Sequence, residues 1–162
     1  MIDRRPRWLR LCHEVAFPRQ LAFGIFFLRL FGDRARTHHR QERIRHCAEG
    51  TVGHALHAFL QARGLHLVPG YERHDLKHVL LGFGTDAPDE MRMQAYMWGN
   101  APLGLDSALG LLFLVWTPDI WSELPALCRR GRAAPSLHRL DFDAVLDVDL
   151  VALRQQLGLG DA

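Results

Sequence analysis

The stretch ERHDLKHVLLGFGTDAPDEMRMQAYMWGN, residues 72–100, decides the fold of this chain. A run rich in Leu and Val is followed by a glycine-broken loop and then by a second helical pattern. The first run also contains His74, Asp75 and His78, which are costly to bury without polar partners. We therefore predict a helical hairpin whose first helix has a polar face beside its packing face.

His74, Asp75 and His78 share one face of that helix, because residues three and four apart are neighbours on a helix. Glu90 falls near the start of the second helix, and a fold-back brings it to the histidine face. Two imidazoles with one or two carboxylates suit zinc, or a similar divalent ion such as Fe, Mn or Co. Gln94, one turn beyond Glu90, is a candidate to hold a ligand carboxylate or a substrate oxygen. The spacing alone leaves open an exposed helix face without an ion.

The protein has ten histidines, so helical His pairs also arise by chance. His54 and His57 are one such pair, and no carboxylate stands near them in the sequence. We interpret these two as surface or core-edge residues with no ligand role.

The rest of the chain is also patterned as helix, and strand alternation is almost absent. We predict a single all-α domain, a helical bundle over residues 1–162 that contains the metal-binding hairpin. The predicted helices cover about 8–15, 19–31, 34–48, 52–63, 72–82, 88–98, 102–116, 118–130, 141–146 and 149–156. Glycine often ends a helix, because a positive φ costs little only for Gly. We therefore predict helix ends at Gly32, Gly50, Gly64, Gly70, Gly84 and Gly131.

Charge is unevenly distributed along the sequence. Residues 1–50 contain eleven Arg and five acidic residues, whereas residues 51–162 contain nine Lys or Arg and thirteen acidic residues. This asymmetry predicts a basic face able to meet phosphates or an anionic membrane, or else a solvated Arg-rich helix. Because no nucleic-acid-binding motif accompanies it, we expect no nucleic acid as a partner.

Three cysteines, far apart and without a CxxC pair, argue for a reducing compartment. The longest apolar runs are too short to cross a bilayer. We therefore expect a cytoplasmic protein, soluble or peripheral on the inner face of the cell membrane. The apolar patterns 19–31 and 102–116 are candidate walls of a slot for a lipid tail, with Met91, Met93, Met97 and Trp98 as adaptable lining. A plain core is the alternative for all of these.

The motif HDLKHVLLGFGTDAPDE (74–90) resembles the metal motif of the coenzyme Q biosynthesis protein 4 family, a helical family of the ubiquinone pathway. GTVGHALHAFLQARGL (50–65) resembles the helix before that motif, and LVALRQQLGLG (150–160) resembles the family's ending. The resemblance covers about residues 45–160, and residues 1–44 form a basic, apolar N-terminal part. Glu72-Arg73 stands where the family usually has Pro-Ser, which indicates a divergent bacterial branch.

The resemblance implies an all-α fold, a divalent cation commonly taken as zinc, and ligands at His74, Asp75, His78 and Glu90. It implies a lyase activity, the decarboxylation of a prenylated hydroxybenzoate-type ring at C1, coupled to hydroxylation there. Implied partners are an isoprenoid lipid or prenylated quinone precursor, the membrane surface and other quinone-biosynthesis proteins. A homodimer is a further expectation.

A second interpretation is a non-catalytic, lipid-binding scaffold that organises a quinone-biosynthesis complex around a structural metal. Four protein ligands close a tetrahedral zinc site, whereas three leave a position for substrate. The role of Asp75 therefore separates the enzyme from the scaffold.

Overall fold

The computed structural model describes residues 6–19, 32–101 and 114–159. Within these ranges every regular element is helical, which confirms the all-α prediction. We label the α-helices α1 (Arg7–Leu11), α2 (Arg34–Arg45), α3 (Val52–Gln61), α4 (Glu72–Leu81), α5 (Ala87–Asn100), α6 (Leu124–Ala133), α7 (Phe142–Val145) and α8 (Leu150–Gln156). A π-helical turn (Cys12–Ala16) continues α1, and two short 3₁₀ helices occupy Pro118–Ile120 and Leu137–Arg139. The predicted helices 19–31 and 102–116 lie almost entirely outside the described residues.

Local chemistry explains where several helices begin. A side-chain oxygen of the N-cap residue accepts a backbone N–H at α2, α3, α5, α7 and α8, which satisfies one of the donors left open at a helix start. The caps are Asp33, Thr51, Asp86, Asp141 and Asp149.

The glycine predictions are partly right. Positive φ occurs at Gly50, Gly64, Gly70, Gly82 and Gly158. Gly131 was expected to end a helix spanning 118–130, but the helix there begins at Leu124 and continues past Gly131 to Ala133. Its role is close packing, because a Cβ at Gly131 would lie 2.0 Å from the carbonyl oxygen of Tyr96.

The chain packs as two compact units. The first comprises Met1–Gly24 and Phe83–Ala133. In it α5 packs on α6, and Met91, Met93 and Met97 are buried. Gly99 complements Gly131, because a Cβ there would lie 1.9 Å from the carbonyl oxygen of Cys128. The backbones of α5 and α6 therefore come into direct contact at Gly99 and Gly131, which have no side chains.

The second unit comprises Ile25–Gly82 and Ala134–Ala162. Here α3 packs on α2 and on α4, and α4 contacts α7. Its fully buried apolar side chains are Ile44, Val52, Leu56, Leu60, Leu80, Phe142 and Leu146. The prediction that the whole chain is one domain stays a prediction.

A polar network crosses this second unit beneath α4. The hydroxyl oxygen of Thr37 lies 2.5 Å from Oε1 of Glu72, and the Arg40 guanidinium lies 3.6 Å from the same oxygen. Arg40 also donates from Nε to Asp143 Oδ1 at 3.0 Å, and its guanidinium sits over the Phe142 ring. Because Glu72 is the first residue of α4, this network fixes the helix that carries the two histidines.

Candidate metal centre

His74 and His78 lie on one face of α4, as the sequence pattern predicts. Leu76 and Leu80 are buried on its packing side. The helix ends at Gly82, which has a φ of 75° and whose N–H donates to the carbonyl oxygen of His78 at 2.8 Å. This left-handed glycine terminates the helix.

The two imidazoles meet through their Nε2 atoms, which lie 3.0 Å apart. A neutral imidazole carries one N–H, so without an ion one ring donates and the other accepts. Zinc–nitrogen bonds of about 2.0–2.1 Å at a tetrahedral angle would place two ligand nitrogens about 3.3 Å apart. The His74–His78 pair is therefore within a few tenths of an ångström of the spacing that a shared cation needs.

Aromatic rings orient both histidines. The Tyr71 ring stacks on His74 with centroids 4.0 Å apart, and the Phe59 ring stacks on His78 at 5.4 Å. His78 is 2% exposed, whereas His74 is half-buried. One imidazole is thus enclosed and the other borders solvent.

Sequence reasoning missed both aromatic partners. Tyr71 precedes His74 by three residues, a helical spacing that is a usable signal. Phe59 lies on a different helix and has no such signal in the sequence.

Glu90 stands in the first turn of α5 and is 9% exposed. The start of α5 is fixed by Asp86, which accepts the Asp89 N–H at 2.9 Å, and by Pro88 in the first turn. Asp89 in turn accepts the N–H of Gly84 at 2.8 Å, which holds the preceding loop. A Cβ at Gly84 would lie 2.7 Å from the same carboxylate, so a larger residue there would displace the Asp89 side chain.

His74, His78 and Glu90 each offer one ligand atom, and these three atoms lie within 4.8 Å of one another. The group can therefore hold a metal ion. Two imidazole nitrogens and one carboxylate form a donor set typical of zinc, and also acceptable to other divalent first-row metals.

The other predicted site residues lie on the same two helices, α4 and α5. Asp75 is half-buried on α4 and is not one of the three. Gln94 is half-buried on α5, one turn after Glu90. The metal-ligand role of Asp75 and the supporting role of Gln94 stay predictions. His54 and His57 are half-buried on α3 and lie outside the group.

Comparison with known proteins shows similarity at the level of the fold. No protein-family model matches the chain, and no curated protein matches it. A crystal structure of a candidate ubiquinone biosynthesis protein from Nostoc punctiforme matches 96% of this chain and 83% of that chain. The TM-score is 0.55 and the sequence identity is 21%. At that identity the likeness establishes the fold alone.

Among the described residues, no helix combines the length and the apolar character that crossing a bilayer requires.

Proposed function

We propose that this chain is a metal-dependent protein of ubiquinone or related quinone biosynthesis. Its reaction would be the decarboxylation at C1 of a prenylated hydroxybenzoate-type ring. The observation that carries the proposal is the group formed by His74, His78 and Glu90. The resemblance of residues 74–90 to a ubiquinone-pathway motif supports it, as does the fold shared with a candidate ubiquinone biosynthesis protein.

The donor set fits a catalytic cation, with zinc as the first choice. Two His and one Glu are the protein ligands of several catalytic zinc sites, in which the fourth position remains open. When bound, a divalent cation supplies a Lewis acid that stabilises negative charge on a ring carboxylate or phenolate.

The surrounding side chains serve to hold the ligands in place. Stacking on Phe59 restricts the His78 ring, and burial keeps water from it. Asp75, on the same helix, would orient a ligand through a hydrogen bond.

A non-catalytic scaffold with a structural metal is the second candidate. Coordination by Asp75 as a fourth ligand would favour it, because a closed tetrahedral site has no place for substrate. Coordination by His74, His78 and Glu90 alone would leave the fourth position open to substrate, as the enzyme requires. An isoprenoid lipid, other quinone-biosynthesis proteins and a second copy of the chain are partners that either candidate admits.

Action at a membrane surface is part of the proposal. Trp8, Leu11 and Val15 are exposed along α1 and the π-helical turn, while Leu9 and Phe17 on the same segment are buried. An exposed apolar stripe that includes Trp, on an Arg-rich segment, is typical of a helix that lies in the lipid interface.

A turnover assay tests the proposed reaction. Metal-loaded protein would be incubated in detergent with a prenylated hydroxybenzoate, and carbon dioxide release and the decarboxylated ring would be measured. We expect turnover by the wild type and loss of turnover in Glu90→Gln. Full metal content without turnover, together with quinone lipid that co-purifies, would reject the enzyme in favour of the scaffold.

A further inference from the structure

Arg63 lies just after α3, in a turn whose backbone is held by hydrogen bonds. The N–H of Gly64 donates to the carbonyl oxygen of Gln61 at 3.0 Å. The N–H of Leu65 donates to the carbonyl oxygen of Leu60 at 2.9 Å. Together with the φ of 63° at Gly64, these two bonds form a Schellman motif, a common way for a helix to end. The backbone of Arg63 is therefore fixed relative to the last turn of the helix.

The side chain of Arg63 turns back by one helical turn and contacts Phe59 twice. Its Nη1 atom donates to the carbonyl oxygen of Phe59 at 3.0 Å. Its guanidinium carbon lies 3.8 Å from the centroid of the Phe59 ring, well within the distance of about 6 Å over which a cation is attracted to an aromatic face. Because one contact reaches the backbone and the other reaches the ring, Arg63 restricts the orientation of the Phe59 side chain.

The Phe59 ring also contacts the enclosed histidine of the metal centre. It stacks on His78 with ring centroids 5.4 Å apart and an angle of 21° between the ring planes. His78 is 2% exposed, whereas Arg63 is exposed to solvent. All three residues belong to the second unit. Phe59 therefore connects a cation at the surface to a buried imidazole.

The two imidazoles of the metal centre differ in the origin of their aromatic partners. His74 stacks on Tyr71, which precedes it by three residues on the same stretch of chain. His78 stacks on a ring from α3, so its orientation depends on how that ring is held. Rotation of the His78 ring would move its Nε2 atom from the position 3.0 Å from Nε2 of His74. A residue that fixes Phe59 therefore also affects the placement of this ligand atom.

We propose that Arg63 is a positioning residue of the metal centre and acts on His78 through Phe59. The inference rests on the proposed function, because it takes His78 to be a metal ligand. If Arg63 only stabilised the end of α3, its substitution would lower the stability of the protein and leave the His78 ring and the metal affinity unchanged. The two roles therefore predict different results.

Proton NMR of the metal-free protein tests the positioning directly. With the histidines labelled at Cε1, the His78 signal is identified among ten by its absence from His78→Ala. The face of an aromatic ring shifts the signal of a stacked proton upfield. We expect part of this shift to be lost in Arg63→Ala and kept in Arg63→Lys, which retains a cation for the ring. Arg45→Ala is the matched control, because it removes an exposed guanidinium from the same unit.

Zinc affinity, measured by competition with a chelating dye, tests the consequence for the metal. We expect a loss of about 2- to 5-fold in Arg63→Ala and of about 10-fold in Phe59→Leu, with no loss in Arg45→Ala. The double variant should bind zinc as Phe59→Leu alone does, because Arg63 then has no ring through which to act. Circular dichroism would confirm that each variant is folded.

The outcomes separate this inference from the proposed function. An unchanged His78 signal in Arg63→Ala would overturn the inference. A further loss of zinc affinity on adding Arg63→Ala to Phe59→Leu would also overturn it, because Arg63 would then act by another route. A wild type that binds no zinc would reject the metal centre itself, and the His78 signal would still show whether Arg63 positions the ring.

Discussion

The Nε2 atoms of His74 and His78 lie 3.0 Å apart, with the Tyr71 ring stacked on the first imidazole and the Phe59 ring stacked on the second. This contact joins residues four apart on α4, so the helix itself sets it. The stacked rings then limit how far either imidazole can rotate. The pair is thus arranged before any cation arrives.

Stacking on Tyr71 predicts how metal affinity responds to substitution. Tyr71→Ala should weaken zinc binding about 10-fold, because the His74 ring then gains freedom that binding must remove. Tyr71→Phe keeps the ring face and should bind within about twofold of the wild type. Competition with a zinc-sensitive chelating dye measures both. Equal affinities in Tyr71→Ala and Tyr71→Phe would show that the stacking does not orient the ligand.

We expect substitution of Arg40, which lies outside the metal group, to lower the stability of the protein strongly. Its substitution by Met leaves the buried Glu72 carboxylate without its cation, and losses of this kind cost about 3–5 kcal/mol. Arg45→Met removes an exposed pair with Glu42 and should change the free energy of unfolding by less than about 1 kcal/mol. Urea denaturation of the two variants makes the comparison. A similar, small loss in both would contradict a structural role for the Thr37–Glu72–Arg40–Asp143 network.

Acid should weaken the second unit through Asp143. Hydrogen bonding from Arg40 lowers the pKa of this carboxyl below its ordinary value. A group whose pKa is depressed in the folded state stabilises the protein above its unfolded pKa of about 3.9, and this stabilisation is lost as pH falls through the folded pKa. We expect the urea midpoint to fall more steeply below about pH 4 in the wild type than in Asp143→Asn. Parallel pH profiles for the two proteins would exclude Asp143 as a source of acid sensitivity.

The exposed stripe on the N-terminal segment predicts membrane binding. Replacing Trp8 and Leu11 by Ser should reduce co-flotation with anionic vesicles severalfold, because apolar burial and charge both contribute to interfacial binding. Val151→Ser is the control, since Val151 is comparably exposed and belongs to the second unit. Unchanged flotation of the Trp8/Leu11 variant would remove this segment from the membrane proposal.

The helical period of the sequence was enough to predict the α4 pattern, the N-terminal start of α5 and the all-α class. His74 and His78 share a face because of a local spacing that every α-helix obeys. The sequence could not show the Phe59 contact, because it depends on how α3 packs against α4. Gly131 was misinterpreted for the same reason, since its need for a missing side chain comes from Tyr96 on another helix.

The membership of Asp75 in the ligand set illustrates a further limit. Helical spacing puts Asp75 on the same face as His74 and His78. The sequence alone therefore cannot tell which of these residues are metal ligands. The structure brings ligand atoms of His74 and His78 together with one of Glu90 from α5, and the role of Asp75 stays a prediction.

Metal content tests the central claim most directly. Protein purified with zinc supplied and then dialysed would be analysed for metal by mass spectrometry, for the wild type, His78→Ala and the matched control His54→Ala. Circular dichroism would confirm that each variant is folded. We predict about one equivalent of zinc in the wild type and in His54→Ala, and less than about one tenth of that in a folded His78→Ala. Equal zinc in all three proteins would contradict the assignment of His74, His78 and Glu90 as the metal centre.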